Sequence, residues 1–397
     1  MNNTKEQKIE ELLTRGVAEV IDRERLKARL LSGETLRIKL GIDPTSPHIH
    51  LGRAVALRKL RDFQDLGHTV VFIVGDFTGV IGDTSDKDSE RPMLAKQMIE
   101  ENMRTYTEQA GKIIDLDKAE VHYNSTWLEK LGYAEIGEQA DVFSLAEFIA
   151  RDNIRRRLDA GKRVSLREVL YPLMQGFDSV ATNAGVEIGG TDQRFNLLAG
   201  RSLQKKHGQQ EQAVLTMNLI PGTDGRKMSS SWGNTITLTD VPNEMFGKVM
   251  SIPDELIMDY FVHCTRVPMT EIATYAEDII TGANPRDVKV RLAKEIVALY
   301  HGAEEAQKAE TYFIETFSNK QIPTDILSIK VDDGIKISDV ITANGLATSK
   351  ADARRKMSQG GVEIAGEKIT DENALIEKRF ADQVMKVGKK DFVRIVF

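Results

Sequence analysis

The chain has 397 residues, of which 41% are apolar and 29% are charged, and this predicts two or three globular domains. A single cysteine, Cys264, excludes an internal disulfide framework and a cysteine-based zinc site. The net charge of −6 argues against a strongly basic, non-specific nucleic-acid binder. Because no apolar run reaches about 18 residues and the N-terminus is charged, we expect no membrane span and a cytoplasmic protein.

The first part of the chain predicts strands alternating with helices. Apolar residues on one helical stripe predict a single helix over residues 5–31. Alternation over Thr35–Ile42 predicts a strand, Leu51–Leu66 predicts a helix, and the apolar run His68–Val74 predicts a buried strand. Strand, helix and strand at this spacing form a βαβ unit, which predicts a doubly wound α/β sheet.

Later segments predict two further regions. The expected elements, in chain order, are a helix at Met93–Ile114, a strand at Glu120–Tyr123, a helix at Ser165–Asn183, a strand at Val214–Asn218, and helices at Asn243–Met250, Asp254–Phe261 and Pro285–Ser318. After a polar stretch that we interpret as a linker, the tail from Gly334 predicts two helices and short strands with glycine turns. This tail has 12 Lys and Arg against 9 Asp and Glu, so a polyanionic partner is one explanation and an ordinary solvated surface is another.

The segment 41–53 joins the first predicted strand to the first long helix, where open α/β sheets bind ligands. Thr45, His50 and Arg53 can reach a phosphate at the helix N-terminus, and Gly52 leaves room for a flat base. The spacing matches neither a P-loop nor a dinucleotide fingerprint. Taken alone, the segment is explained equally well by turn chemistry and helix capping.

A polar stripe follows on the helix predicted over residues 165–183. Tyr171, Gln175 and Asp178 stand at positions i, i+4 and i+7, within about 60° of arc on one face. A solvent-facing side is the ordinary explanation of such a stripe. A ligand-binding face is the alternative, and the motifs that follow favour it.

Two glycine-containing segments come next. The turn Gly189-Gly190-Thr191-Asp192-Gln193 allows close approach to a sugar, and Asp192 can accept both hydroxyls of a ribose. A helix N-cap at Thr191 or Asp192 explains the same residues. The loop Arg226-Lys-Met-Ser-Ser-Ser231 offers hydroxyls and a cation to a triphosphate, although a flexible surface loop is the commoner meaning of its composition.

In this order, the segments resemble the class I aminoacyl-tRNA synthetases, and among them the bacterial tyrosyl-tRNA synthetases. His50-Leu-Gly-Arg53 resembles the HIGH motif and Lys227-Met-Ser-Ser-Ser231 resembles the KMSKS motif. The polar stripe, the Gly-Gly-Thr-Asp-Gln turn and the Gly79-x-x-Gly82-Asp83 turn resemble the tyrosyl members. The tail from Lys336 to Gly366 is similar to their ribosomal-protein-type RNA-binding module, so the resemblance covers nearly the whole chain.

The resemblance implies a tyrosine--tRNA ligase that forms tyrosyl-adenylate from tyrosine and ATP and then charges tRNA(Tyr). ATP is then a substrate accompanied by magnesium, with no tightly bound cofactor and no metal site in the protein. The implied tyrosine-binding residues are Asp83, Asn124, Tyr171, Gln175, Asp178 and Gln193, with Asp178 on the phenol hydroxyl. The implied ATP-binding residues are Asp43, Gly52, Gly190, Asp192, Lys227 and Ser230. The implied catalytic residues are Thr45, His50, Arg53, Lys227 and Ser230.

Four positions depart from the family pattern. Arg53 stands where HIGH has its second histidine, and Ser230 stands where KMSKS has its second lysine, which leaves the sharing of phosphate contacts open. Glu187 replaces a glutamine. Lys39 stands where one bacterial subtype has a tyrosine that touches the substrate hydroxyl, and a lysine beside Asp178 would keep that acid ionised. The sequence leaves the direction of the Lys39 side chain open.

The expected architecture is a Rossmann-like doubly wound parallel sheet, then an α-helical domain, then a small α+β RNA-binding module. The expected bounds are 1–233 for the catalytic domain, 234–320 for the helical anticodon-binding domain, 321–333 for the linker and 334–397 for the RNA-binding module. A short helix in that module carries Lys350, Arg354 and Arg355, which we interpret as tRNA contacts. The resemblance also implies a homodimer.

Three alternatives remain at this point. A tryptophanyl enzyme shares the fold and chemistry, but Asp178 in the polar stripe favours a phenol over an indole. A catalytically silent RNA-binding paralogue is disfavoured by the retained acids, His50 and Lys227. A nucleotidyltransferase without a tRNA partner is disfavoured by the basic tail and the helical region.

Overall fold

The structure, a computed structural model, describes residues 4–85, 93–318, 326–388 and 391–397, without the side chains of Ser231, Phe317 and Ser318. Its contacts divide the chain into two compact units, the first ending at Ala306 and the second beginning at Gln307. The first unit contains the expected catalytic domain and most of the expected helical domain. The second unit contains the expected RNA-binding module.

A six-stranded sheet forms the centre of the first unit. Its strands are β1 (Val17–Ile21), β2 (Arg37–Ile42), β3 (Thr69–Val74), β4 (Ala119–Tyr123), β5 (Val186–Gly190) and β6 (Ala213–Met217), in the spatial order β1-β6-β5-β2-β3-β4. All neighbours are parallel except β1, which pairs antiparallel with β6. After β2, the chain adds β3 and β4 on one side of that strand and then β5 and β6 on its other side. The switch point between these strands is where open α/β sheets bind ligands.

Helices cover both faces of this sheet and extend beyond it. They are α1 (Lys5–Thr14), α2 (Arg23–Ser32), α3 (Leu51–Asp65), α4 (Asp76–Ile81), α5 (Lys96–Met103), α6 (Tyr106–Gly111), α7 (Ser125–Leu128), α8 (Tyr133–Ala140), α9 (Leu145–Ile149), α10 (Asp152–Asp159), α11 (Leu166–Ala181), α12 (Arg194–Lys206), α13 (Pro242–Met250), α14 (Ile257–Cys264), α15 (Met269–Ile280), α16 (Pro285–His301) and α17 (Ala303–Phe313), the last followed by a π-helical turn (Ile314–Ser318). Residues Val70–Val74 of β3 are completely buried, which explains their continuous apolar run. Throughout the described ranges, no helix has the length and apolar character needed to cross a membrane.

The single helix predicted over residues 5–31 is wrong. Gly16 has a φ of +68°, which favours glycine, and it separates α1 from β1. Residues Val17–Ile21 satisfy both a helical stripe and a strand pattern, so periodicity alone could not distinguish them. Pairing with the edge of β6 decides in favour of the strand.

Most other predicted elements are present in the structure, with changed bounds. The strands expected near residues 35–42, 68–74, 120–123 and 214–218 and the helices expected at 51–66 and 165–183 are all present. The helix expected at Met93–Ile114 is broken between α5 and α6, and that expected at Pro285–Ser318 is broken at Gly302, whose φ is +90°. Strand β5 was missed because its glycines predicted only a turn.

In the described residues, the second unit contains the end of α17 and the π-helical turn, followed by a five-stranded sheet with two further α-helices. Its elements are β7 (Leu327–Lys330), α18 (Ile337–Ala343), α19 (Lys350–Ser358), β8 (Val362–Ile364), β9 (Glu367–Lys368), β10 (Val384–Val387) and β11 (Asp391–Val396), and the strand order is β7-β11-β10-β8-β9. Its own apolar core includes Ile337, Val362 and Ile395, all fully buried.

One boundary of this unit differs from the expectation. Residues 327–330 lie in the expected linker, but they form β7, which pairs parallel with β11. The backbone of residues 327–330 is therefore hydrogen-bonded into the second sheet, so these residues do not belong to a linker. Residues 321–325 of the expected linker lie outside the described residues.

Candidate active site

A cleft of about 470 Å³ opens at the carboxyl ends of β2 and β5, at the topological switch point of the sheet. It brings together every residue that the sequence assigned to tyrosine, ATP or catalysis. These residues are Asp43, Thr45, His50, Gly52, Arg53, Asp83, Asn124, Tyr171, Gln175, Asp178, Gly190, Asp192, Gln193, Lys227 and Ser230. The polar stripe of α11 therefore faces a cavity, and the explanation of a solvent-facing side is wrong.

Asp178 lies buried in this cleft, with 3% of its surface exposed. Trp127 Nε1 donates to one carboxylate oxygen at 2.8 Å and Asn124 Nδ2 donates to the other at 3.3 Å. Burial raises the pKa of Asp178 to about 7, against the lowering effects of the Lys39 charge and of these two donors. The site thus offers a fixed acceptor for a hydroxyl group in an enclosed environment.

Asp43, at the end of β2, is held by two hydroxyl groups. Tyr171 Oη donates to it at 2.8 Å and Thr78 Oγ1 donates at 2.7 Å. Burial raises the pKa of Asp43 to about 6, and both hydroxyl donors act in the opposite direction. Since the Tyr171 proton is directed at Asp43, the Tyr171 oxygen keeps lone pairs for a donor such as an ammonium group.

Asp83 and Gln193 meet on another wall of the cleft. Gln193 Nε2 donates to Asp83 at 2.6 Å, and Asn196 Nδ2 donates to the other end of the Gln193 amide at 3.1 Å. Ser85 donates to Asp83 from both its backbone N–H and its hydroxyl, at 3.0 and 2.6 Å. This pairing fixes the orientation of the carboxylate and of the amide together.

His50 precedes α3 at the N-cap position. Burial, helped by the charges of Arg53 and Lys227, lowers the pKa of His50 to about 3, so the imidazole is neutral at physiological pH. Its Nδ1 atom is buried and has no hydrogen-bond partner in the part of the chain that the structure describes. A Cβ at Gly52 would come within 3.1 Å of the His50 ring, so glycine provides the space for this histidine.

The Arg53 guanidinium is held in the loop that follows β2. It donates to Thr45 Oγ1 at 2.9 Å, to the Asp43 carbonyl at 3.2 Å and to the Tyr106 hydroxyl. Because these contacts fix the side chain beside Thr45, Arg53 presents a positioned cation where the resembling enzymes have a histidine. Sequence reasoning missed Tyr106, for which no local motif gave a signal.

The loop after β6 carries Lys227, whose Nζ donates to Asp192 Oδ2 at 3.0 Å. Asp192 follows β5, and a Cβ at Gly190 would come within 2.5 Å of its carboxylate, which explains this glycine. The base of the loop is closed by Asn234, which donates to Asp224 at 2.7 Å and accepts from the Ser229 backbone at 2.9 Å. The loop is therefore anchored on both sides of Lys227.

Lys39 does not bond Asp178 directly. Its Nζ forms a buried ion pair with Glu187 at 2.9 Å and donates to the Gln175 carbonyl and the Ser179 hydroxyl, both at 2.8 Å. Two of the four departures from the family pattern, Lys39 and Glu187, are thus each other's partners.

Trp127 and Thr78 are further site residues that sequence reasoning missed. Trp127 is one of two tryptophans in the chain and stands three residues after Asn124, which was a usable signal. Thr78 belongs to α4 and has no such motif. Neither residue could be linked to its carboxylate before the order of the strands was known.

The residues predicted to contact tRNA lie in the second unit and are not among those that line this cleft. Over the described ranges, no group of three or more His, Cys, Asp or Glu side chains is arranged to hold a metal ion. In the second unit, Ser349 caps α19 by accepting from the Asp352 backbone at 3.2 Å. Lys350 and Arg355 form exposed ion pairs with Asp339 and Asp352.

The sequence of the chain matches two protein families. Residues 31–318 match the family of tRNA synthetases class I (W and Y), and residues 318–395 match the tyrosine--tRNA ligase SYY-like C-terminal domain. The tyrosine--tRNA ligase of Thermotoga maritima is 46% identical, over 97% of this chain and 96% of its own length. That of Photobacterium profundum is also 46% identical, over 96% of this chain and 97% of its own length.

Solved structures share the fold. A C-terminally truncated mitochondrial tyrosyl-tRNA synthetase of Aspergillus nidulans has a TM-score of 0.66 at 21% identity, covering 80% of this chain and 95% of its own. The Archaeoglobus fulgidus tyrosyl-tRNA synthetase, complexed with L-tyrosine, has a TM-score of 0.60 at 24% identity, covering 76% and 98%. A Plasmodium falciparum tryptophanyl-tRNA synthetase scores lower, with a TM-score of 0.56 at 14% identity, covering 74% and 81%. From the two family matches and the near full-length relatives together, the chain belongs to the class I tRNA synthetases of the tryptophan and tyrosine group, among the tyrosine--tRNA ligases.

Proposed function

We propose that the cleft activates tyrosine with ATP and that the bound tyrosyl-adenylate is then transferred to tRNA(Tyr). The choice of tyrosine as substrate rests on Asp178, a buried acid that accepts from two fixed donors and has room for one more. A phenol hydroxyl supplies the missing partner. An unsubstituted phenyl ring leaves the carboxylate without it, at a cost of about 1–3 kcal/mol for the unsatisfied group. An indole has an N–H donor, but it lies on the five-membered ring and not at the para position that a phenol hydroxyl occupies.

The polar end of tyrosine is held at the opposite wall in this proposal. Tyr171, Gln175 and Asp83 bind the α-ammonium, because an ammonium group donates three hydrogen bonds and these side chains offer oxygen acceptors. Gln193 contacts the carboxylate through its amide, and Asn124 keeps Asp178 oriented. The carboxylate is already ionised at neutral pH, so the first step requires no general base.

ATP lies across the switch point, with its ribose at Gly190 and Asp192 and its base against the backbone near Gly52. Asp43 anchors this edge of the cleft through Tyr171. Magnesium enters with the ATP phosphates as part of the substrate, because Mg²⁺ keeps several waters and binds through phosphates more readily than through protein cages.

Catalysis consists of positioning and charge stabilisation. The tyrosine carboxylate attacks the α-phosphate in line, the bond to pyrophosphate breaks, and the negative charge grows on the departing phosphates. Thr45, neutral His50, Arg53, Lys227 and Ser230 donate to these oxygens. Arg53 takes the place of a histidine, and its fixed guanidinium supplies a permanent charge that a neutral imidazole lacks.

The second step involves tRNA(Tyr). A hydroxyl of the terminal ribose attacks the tyrosyl carbonyl, and AMP leaves. We assign Lys350, Arg354 and Arg355 of α19 to contacts with the tRNA backbone. The exposed ion pairs of Lys350 and Arg355 contribute little to stability, so phosphates can replace the acidic partners at small cost.

The chain acts as a homodimer in this proposal, and it works in the cytosol, where tRNA and ATP are available. Large apolar side chains are exposed in residues 133–166, which supports an interface there. They are Tyr133, Leu145, Ile149, Leu158 and Leu166. Sedimentation velocity of the Leu145→Asp variant tests the assignment, since a charge in the interface favours the monomer.

The test of the function is ATP–pyrophosphate exchange with tyrosine, tryptophan and phenylalanine supplied separately. We expect exchange with tyrosine alone, and loss of tyrosine activation together with discrimination in Asp178→Asn. Exchange with tryptophan would overturn the substrate assignment. Exchange with none of the three would favour a silent RNA-binding protein, and unchanged tyrosine kinetics in Asp178→Asn would remove the role of Asp178.

A further inference from the structure

Behind the tyrosine pocket lies an ion pair that the proposed reaction does not use. Lys39 on β2 and Glu187 on β5 are register partners on adjacent parallel strands, and their charged groups are 2.9 Å apart. The side chains are 0% and 1% exposed. Burying two charges carries a large desolvation cost, so such a pair persists where further hydrogen bonds satisfy it.

These further bonds all connect the pair to the substrate helix or its neighbourhood. Glu187 Oε1 accepts from Gln175 Nε2 at 3.2 Å, and Glu187 Oε2 accepts from Ser179 Oγ at 3.0 Å and from Gln212 Nε2 at 2.5 Å. Lys39 donates to the Gln175 carbonyl and to Ser179. The pair therefore fastens α11 to the sheet at two positions that flank Asp178, and it determines where the Gln175 amide points.

The same two charges act on Asp178 in opposite directions. Lys39 lowers the pKa of Asp178 and Glu187 raises it. Among the described residues, Tyr171, nearly two turns earlier on α11, is a further titratable group that interacts electrostatically with Asp178, whereas Asn124 and Trp127 face Asp178 as neutral donors. Removing either charge alone would leave its opposite acting on the carboxylate.

We propose that Lys39 and Glu187 form a positioning pair for the tyrosine pocket, in which Glu187 orients the Gln175 amide and Lys39 balances the charge of Glu187 beside Asp178. The proposal rests on the tyrosine-activating function proposed above. Neither residue touches substrate; both act through Gln175 and Asp178.

Glu187→Gln is the most informative single variant, because it removes the charge and keeps the size of the side chain. Gln212 Oε1 has no hydrogen-bond partner among the described residues, so a flip of the Gln212 amide gives the new Nε2 an acceptor, at the loss of the bond from Gln212 to the Leu197 carbonyl. The uncompensated Lys39 then favours ionised Asp178. We expect the acid limb of the pH profile of kcat/KM for tyrosine to move down by about one pH unit.

Lys39→Met has the opposite effect, since it leaves the charge of Glu187 unbalanced, and the acid limb moves up. In the double variant both charges are absent and the limb returns towards its original position. Glu187→Ala removes the acceptor of Gln175, so we expect KM for tyrosine to rise about tenfold with KM for ATP unchanged.

Lys289→Met is the matched control. Lys289 is also buried, and it bonds the Ile252 carbonyl and Asp254 in the helical region. This variant should lose thermal stability and keep the acid limb of the wild type. It separates the general cost of removing a buried, hydrogen-bonded lysine from the specific effect on Asp178.

The measurement is tyrosine-dependent pyrophosphate exchange of the full chain between pH 5.5 and 9. Shifts of opposite sign in the two single variants, cancelled in the double variant, support the pair. Losses of activity without a shift, or shifts of the same sign, overturn it. If Lys39→Met does not fold, a shift in Glu187→Gln that persists in the double variant overturns it equally. Absence of exchange in the wild type would instead contradict the proposed function, before any variant is compared.

Discussion

Lys227 donates to Asp192 across 3.0 Å, so the lysine of the 226–231 loop is bound to the carboxylate that we assign to the ATP ribose. A nucleotide whose ribose hydroxyls bond Asp192 takes over this acceptor. The ammonium group is then drawn towards the phosphates. Binding of ATP thus couples occupation of the ribose site to the arrival of a cation at the leaving group.

Lys227→Met should therefore reduce the rate of pyrophosphate exchange. Loss of a donor that stabilises transition-state charge lowers kcat by about 10²–10³-fold. Equilibrium binding of tyrosine, measured by calorimetry, should be unchanged. Lys96→Met, which removes an exposed lysine paired with Glu129, is the control and should behave as the wild type. A Lys227→Met enzyme that keeps its kcat and binds tyrosine weakly would contradict this role.

Stability should depend on pH through the two aspartates of the cleft. Burial raises the pKa of Asp178 to about 7 and that of Asp43 to about 6, so the folded state binds protons more tightly than the unfolded chain. Their stabilising contribution is complete below about pH 4 and is lost as the pH rises towards 7.

Asp178→Asn removes the part of this dependence that is due to Asp178, since an amide stays neutral, and leaves the part due to Asp43. We expect its Tm to exceed that of the wild type by a few degrees at pH 8 and to differ little at pH 4.5. Differential scanning calorimetry at both pH values measures the difference. A variant that is equally destabilised at pH 4.5 and pH 8 would show that hydrogen bonding, and not the buried charge, dominates at this position.

The two units should separate the two steps of the reaction. A chain ending at Ser318 lacks the whole second sheet, including β7, and should retain tyrosine-dependent pyrophosphate exchange while losing tRNA charging. Ending the chain at Asp333 instead would leave β7 without its partner β11. Equal loss of both activities in the shorter chain, with an unchanged circular dichroism spectrum for the helices, would argue against a separate tRNA-binding module.

Arg354 provides a finer test of the tRNA contact. Its side chain is exposed on α19, one helical turn from Lys350. Arg354→Ala should weaken tRNA binding and reduce the slope of log K against log salt concentration by about one. Amino-acid activation should be unaffected. Lys368→Ala, an exposed lysine on β9, is the control, and an equal effect of both variants would indicate a diffuse charge contribution.

Local motifs predicted which residues line the cleft, because each motif sits within one loop or one helical face. The Tyr171, Gln175 and Asp178 stripe followed from helical geometry alone. The contacts between motifs could not be predicted in this way. Trp127 reaches Asp178, and Lys39 reaches Glu187, only because β5 returns to lie beside β2. That strand order depends on long-range packing, which periodicity does not encode.

The predicted type of an element was wrong where helical and strand periodicities coincide, and strands were missed where their composition is atypical. Residues 17–21 fit both a helix and a strand, and an edge of the sheet decided between them. β5 contains two glycines, and β7 lies in a polar stretch, so both were interpreted as irregular. In each case the backbone forms hydrogen bonds with a strand that is distant in sequence. No local sequence pattern identifies that partner strand.

The antiparallel pairing of β1 with β6 has a consequence for synthesis of the chain. Residues 17–21 leave the ribosome early, yet their partners, residues 213–217, follow almost 200 residues later. At about 5–20 residues per second, the first strand waits on the order of 10–40 s for its hydrogen-bond partners. During that time it is an unpaired apolar segment in a growing chain. Although β1 precedes the other strands of the catalytic sheet in the chain, it is thus among the last of them to be paired.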